Sequence, residues 1–121
     1  MSKILVVEDE KDIVEVIRMK LEKEGYEVDT AYDGIEALEK VKLNRPDLIV
    51  LDIMMPKLDG YSVNLKLKEN PETENIPVIV ITGKGHLKEL LQIREEITVS
   101  AYLEKPFPLK LLVEKIKELL K

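Results

Sequence analysis

Four short apolar runs, each ending in a chemically loaded residue, constrain this chain more than any other feature. Ile4-Leu5-Val6-Val7 leads into Glu8-Asp9, and Leu48-Ile49-Val50-Leu51 leads into Asp52. Val78-Ile79-Val80-Ile81 leads into Thr82, and Ala101-Tyr102-Leu103 passes through Glu104 to Lys105-Pro106. Runs that are apolar at every position and rich in β-branched residues suit parallel strands buried on both faces. Open α/β sheets place their sites outside the carboxyl ends of the strands, near a topological switch point. Three carboxylates, one hydroxyl and one ammonium are therefore expected at one sheet edge.

Between these runs the periodicity turns helical. Ile13, Val14, Ile17 and Leu21 share the spacing of one helix face over 11–24, and Gly25 is the expected stop. Tyr26, Val28 and Thr30 alternate with acids, which predicts a half-exposed strand to Ala31 at the sheet edge. After the Asp33-Gly34 turn, Ile35, Leu38 and Val41 continue as a helix that ends near Arg45-Pro46. A strand at 47–51 and a loop from Pro56 to Gly60 come next, then a helix to about Asn70. A strand at 78–81, a polar helix over 87–97 and a strand at 100–103 precede a closing amphipathic helix from Leu109 to Leu120. Five strands alternating with five helices and joined by right-handed crossovers predict a doubly wound, flavodoxin-like (βα)5 sandwich. Strand order 2-1-3-4-5 would bring Glu8-Asp9 beside Asp52 and leave the mixed-polarity strand outermost.

With 121 residues the chain is expected to be one domain. Its net charge of −5, with lysines interleaved among glutamates, argues against a nucleic-acid-binding face. The absence of cysteine excludes disulfides, thiol chemistry and zinc–thiolate sites. Met1-Ser2-Lys3 enters a strand at once, which leaves no room for a signal peptide, and no run approaches the ~18 apolar residues of a membrane span. A cytoplasmic location, away from membranes, is expected.

Three carboxylates in one crevice repel one another. At ~4 Å and an effective dielectric of ~20, each pair costs about 4 kcal/mol. Such a cluster persists if a cation neutralises it or if one member stays protonated. Oxygen ligands without His or Cys point to Mg²⁺ or Mn²⁺. Singly, Glu8, Asp9 and Asp52 are equally solvated loop acids or helix caps; it is their gathering at strand ends that favours a metal. Lys105 can pair with Asp52, or with a phosphoryl oxygen attached there, and Thr82 offers a hydroxyl to an anion. Together these groups favour phosphoryl transfer to a carboxylate, with Asp52 as the in-line nucleophile.

These residues resemble the receiver domains of two-component response regulators, in particular single-domain receivers of the chemotaxis and sporulation type. The matching segments are Ile4 to Glu10, Asp52 to Gly60, Thr82-Gly83 and Tyr102 to Phe107, in order across the whole chain. The resemblance implies that Asp52 accepts phosphate from a phosphohistidine of a sensor histidine kinase or histidine phosphotransfer protein. It implies that Glu8, Asp9, Asp52 and the backbone carbonyl of Met54 hold Mg²⁺, with Asp9 rather than Glu8 the direct ligand. Thr82 and Lys105 would hold the phosphoryl group, the peptide bond before Pro106 would be cis, and Thr82 and Tyr102 would move together as a switch. A downstream protein target or a homodimer would use the face formed by 87–121. The family relationship thus implies a receiver over residues 1–121, without an effector domain and without self-contained enzyme activity beyond gaining and losing its own phosphate.

The segment from Lys84 to Ser100 departs from the family pattern: Val99-Ser100-Ala101 replaces the usual Gly-Ala step, and no glycine follows Ile97-Thr98. His86, the one histidine, lies in a polar loop without a neighbouring acid to make a catalytic pair. Two other functions compete: a docking module that is never phosphorylated, and a Mg²⁺-dependent acid-nucleophile phosphatase. The phosphatase needs a second Asp two residues beyond the nucleophile, where Met54 stands.

Overall fold

The computed structural model describes residues 2–53, 60–83 and 100–120. Along the chain they form β1 (Lys3–Val7), α1 (Lys11–Lys23), β2 (Glu27–Ala31), α2 (Gly34–Leu43) and β3 (Leu48–Asp52). α3 (Gly60–Glu69), β4 (Val78–Thr82), β5 (Ala101–Glu104) and α4 (Leu109–Leu119) follow. The expected polar helix at 87–97, His86, Met54 and most of the loop before Gly60 lie outside the described residues.

All pairings are parallel and the order is β2-β1-β3-β4-β5, the order expected for a doubly wound sheet. β1, β3 and β4 occupy the middle, and β3 and β4 are buried at every position. β2 at the edge is exposed at Glu27 and buried only at Ala31, as its alternating sequence requires.

The pleat divides the apolar side chains into two cores. Leu5, Val7, Ile49, Leu51, Val78 and Val80 face Ala37 and Val41 of α2 and Val63 and Leu67 of α3. Their alternates, among them Ile4, Val6, Leu48, Val50, Ile79 and Ile81, face Ile17 and Leu21 of α1 and Leu112 and Ile116 of α4. Each fully buried Leu, Ile or Val side chain contributes about 1.5–3 kcal/mol against exposure. The doubly apolar central strands follow from this: both of their faces are covered.

Local chemistry sets the ends of the elements. α1 stops at Gly25, whose φ of 96° is disfavoured for residues with a Cβ. Gly25 N–H donates to the Glu22 carbonyl at 3.0 Å and Tyr26 N–H to that of Leu21 at 3.1 Å, the two bonds of a Schellman stop. Asp33 caps α2 by accepting from Glu36 N–H at 2.9 Å. β3 begins at Leu48, one residue later than expected, although Asp47 is already bonded to β1. Its N–H donates to the Lys3 carbonyl at 2.8 Å, and its carboxylate accepts from Lys3 N–H at 2.7 Å. At the other end the ladder runs through Asp52, which pairs with Ile81.

Candidate functional site

The carboxyl ends of β1, β3, β4 and β5 lie side by side, which brings their terminal residues to one rim. Glu8 N–H donates to the Ala31 carbonyl at 3.0 Å, so β1 stays tied to β2 one residue past its end. Ile53 N–H donates to the Ile81 carbonyl at 3.0 Å and holds the residue after Asp52 against β4. Lys105 N–H donates to the Thr82 carbonyl at 2.8 Å, beside a cis Lys105–Pro106 bond of the kind the resemblance implied.

This scaffold gathers the three acids. One carboxylate oxygen from each of Glu8, Asp9 and Asp52 lies within 4.8 Å of the others. Glu8 and Asp52 are buried, whereas Asp9 faces solvent. Lys105 Nζ donates to Glu8 Oε2 at 3.1 Å, to Glu8 Oε1 at 3.3 Å and to Asp52 Oδ2 at 3.4 Å. The lysine therefore lies closer to Glu8 than to Asp52, a preference that sequence spacing did not reveal. Strand order gave no signal for it, because β3 stands between β1 and β5 in the sheet.

Electrostatics follow from this packing. Burial pushes the Glu8 carboxyl up to about 8, and the neighbouring Asp52 adds to the rise while Lys105 opposes it. Burial works against the Lys105 ammonium, but its hydrogen bond to Glu8 and the charges of Asp52 and Glu8 outweigh that and raise it. One ammonium among three acids leaves the pocket short of positive charge. Oxygen-only donors in a partly desolvated, anionic pocket fit a hard divalent cation that keeps several waters.

Thr82 is fully buried at the end of β4, and its hydroxyl donates at 3.5 Å to the Gly83 carbonyl. By alternation it shares a face with Val78 and Val80, while Asp52 shares the opposite face with Leu48 and Val50. Tyr102 pairs with Val80 and packs, half-buried, on the core below Thr82. Thr82 and Tyr102 thus occupy one face of adjacent strands, two registers apart.

A family model described as a response regulator receiver domain matches residues 4–117. This chain belongs to that family. The receiver is 43% identical over 120 residues to the probable transcriptional regulator ycf27 of Cyanophora paradoxa, covering 99% of this chain and 48% of that one. It is 40% identical to the alkaline phosphatase synthesis transcriptional regulatory protein PhoP of Bacillus subtilis (strain 168), covering 99% and 49%. It spans about half the length of these relatives. Among solved structures, the signal receiver domain of a histidine kinase from Syntrophus aciditrophicus superposes with a TM-score of 0.91 at 33% identity, covering 99% of this receiver and 90% of that chain. Chemotaxis protein CheY4 of Vibrio cholerae gives a TM-score of 0.91 at 29% identity, with 99% of both chains covered.

Proposed function

We propose that this receiver takes a phosphoryl group from a phosphohistidine of a sensor histidine kinase or histidine phosphotransfer protein onto Asp52. The N–P bond of the donor breaks as an Asp52 Oδ–P bond forms, and the departing imidazole keeps the bonding pair. The observation that carries this reading is the Lys105 ammonium, hydrogen-bonded to both buried acids at the rim. From there it can follow the negative charge onto the transferred oxygens. Glu8, Asp9, Asp52 and the Met54 carbonyl would hold Mg²⁺, or Mn²⁺, whose charge offsets that of the phosphoryl oxygens.

Thr82 supplies a hydroxyl to the same group, and Tyr102 on the same sheet face follows it as the switch. The output face would be 87–121, for a protein target or a second copy. Of that face β5 and α4 are described, and α4 carries Lys110, Lys115 and Lys117 with Glu114 and Glu118. The donor would approach through an apolar cleft of about 400 Å³ beside Lys105, lined by Ile13, Val16, Phe107 and Leu109 among others. No described helix is long and apolar enough to cross a membrane, and a cytoplasmic setting is part of the proposal.

The test is exposure to acetyl phosphate with Mg²⁺, followed by intact-mass measurement. The unsubstituted chain should gain one phosphoryl group and Asp52→Asn none. Equal modification of a folded Asp52→Asn variant would remove Asp52 from its role, and no modification of either would favour a constitutive docking module.

A further inference from the structure

A second cation, Lys11, begins the helix that follows the acidic pair and lies beside Tyr32, which follows β2, the edge strand opposite β5. Lys11, the first residue of α1, places its Nζ 5.7 Å from the centroid of the Tyr32 ring. Lys11 follows Glu8-Asp9 by two residues. Tyr32 follows Ala31, the residue whose carbonyl holds Glu8 N–H. The pair therefore joins the start of α1 to the residue after β2, next to the Glu8–Ala31 hydrogen bond.

The backbone that carries the Tyr32 ring is anchored at the start of α2. Tyr32 N–H donates to Glu36 Oε1 at 2.7 Å, and Glu36 N–H in turn donates to Asp33 Oδ1 at 2.9 Å. Lys11 itself is exposed, so its charge faces solvent while the ring limits where it can go.

The surrounding charge makes that position matter. Residues 8–12 and 32–36 hold six acids (Glu8, Asp9, Glu10, Asp12, Asp33 and Glu36) and one base, Lys11. Lys105 is bound to Glu8 and Asp52. Lys40 reaches Glu36 at 3.6 Å but also engages Asp29 and the Thr30 carbonyl. A dianion approaching the acidic crevice meets net repulsion, which a cation at the rim offsets.

We propose that Lys11, held over Tyr32, draws small dianionic phosphodonors of the acyl phosphate class into the crevice. This rests on the phosphoacceptor role of Asp52 and assigns to Lys11 a part in donor selection, without contact with the reacting atoms. One unit charge acting on a dianion at ~10 Å in water changes its encounter rate about three- to fivefold at low salt. At ~0.15 M salt the Debye length of ~8 Å removes most of that. A rim charge acts on association and its salt dependence, which separates steering from a structural role.

The experiment measures initial rates of Asp52 phosphorylation with saturating Mg²⁺ at low and at high ionic strength. Acetyl phosphate is compared with phosphoramidate, which carries less negative charge near neutral pH. Lys11→Gln should slow acetyl phosphate about three- to fivefold at low salt, lose that deficit at high salt, and slow phosphoramidate less. Lys11→Arg should match the unsubstituted protein, and Tyr32→Leu should show part of the loss. Equal rates for Lys11→Gln and the unsubstituted protein at low salt would overturn the inference. So would a deficit that persists at high salt or is the same for both donors. If the unsubstituted protein takes no phosphoryl group from either donor, it is the function of Asp52 that fails, not the role of Lys11 alone.

Discussion

Lys105 and Glu8 are 97 residues apart in the chain, yet their charged atoms come within 3.1 Å of each other. The glutamate has no exposed surface and the lysine side chain keeps 24% of its own, so the pair joins the dry floor of the crevice to water. Removing the lysine leaves two buried acids facing each other.

Lys105→Met is therefore expected to slow phosphorylation of Asp52 by about 10²-fold, the usual cost of deleting one donor that stabilises developing charge. Timed acetyl phosphate labelling measures it. A rate within a factor of about two of the unsubstituted protein would contradict the role given to Nζ.

The raised Glu8 carboxyl ties stability to pH. Its ordinary value is 4.5 and burial lifts it to about 8, so between those values the folded protein keeps a proton that the unfolded chain has released. Metal-free stability should then fall as pH rises through that window, by at most ~1.4 kcal/mol per pH unit, and level off outside it. A divalent cation takes the place of the proton, so stabilisation by Mg²⁺ should be larger near about pH 8 than near about pH 5. Thermal melts with chelator and with excess Mg²⁺ at both pH values check the sign. A Mg²⁺ shift that shrinks as pH rises would be the wrong result.

Val16 and Met19 on α1 are 53% and 63% exposed, and Val16 also lines the cleft beside Lys105. Val16→Glu should cut transfer from a phosphorylated histidine phosphotransfer domain about tenfold through lost docking contacts. Labelling by acetyl phosphate, which needs no docked helix, should stay within about twofold. Equal losses with both donors would place the defect in the site instead of the surface.

Gly25 offers a test of the fold alone. A Cβ built there meets nothing within 4 Å, so the cost of Gly25→Ala is conformational rather than steric. We expect a loss of about 1–2 kcal/mol in denaturant melts, with Gly25→Asn losing less.

The fold was legible because its strongest signals are local and repeated. Val78 to Ile81 reads as a doubly buried strand from composition alone, and the Leu21–Gly25–Tyr26 stop is a known pairing of residue type with backbone bonds. Gathering three acids required only the strand order, which the polarity of β2 suggested. What stayed hidden depended on which side chain turns toward which. Nothing in the spacing of Glu8 and Asp9 shows that one is sealed and the other wet, because burial there is set by β2 and β3 on either side of β1. Tyr32 beneath Lys11 was equally silent, as a single aromatic after an edge strand has no periodic partner.

The alternation that sends Asp52 toward α1 and α4, and Thr82 toward α2 and α3, has a mechanical consequence. Any group grasped by both would bridge two hydrophobic compartments that otherwise share only backbone. Helices on opposite sides of the molecule would then feel the same covalent event, each through its own layer of side chains.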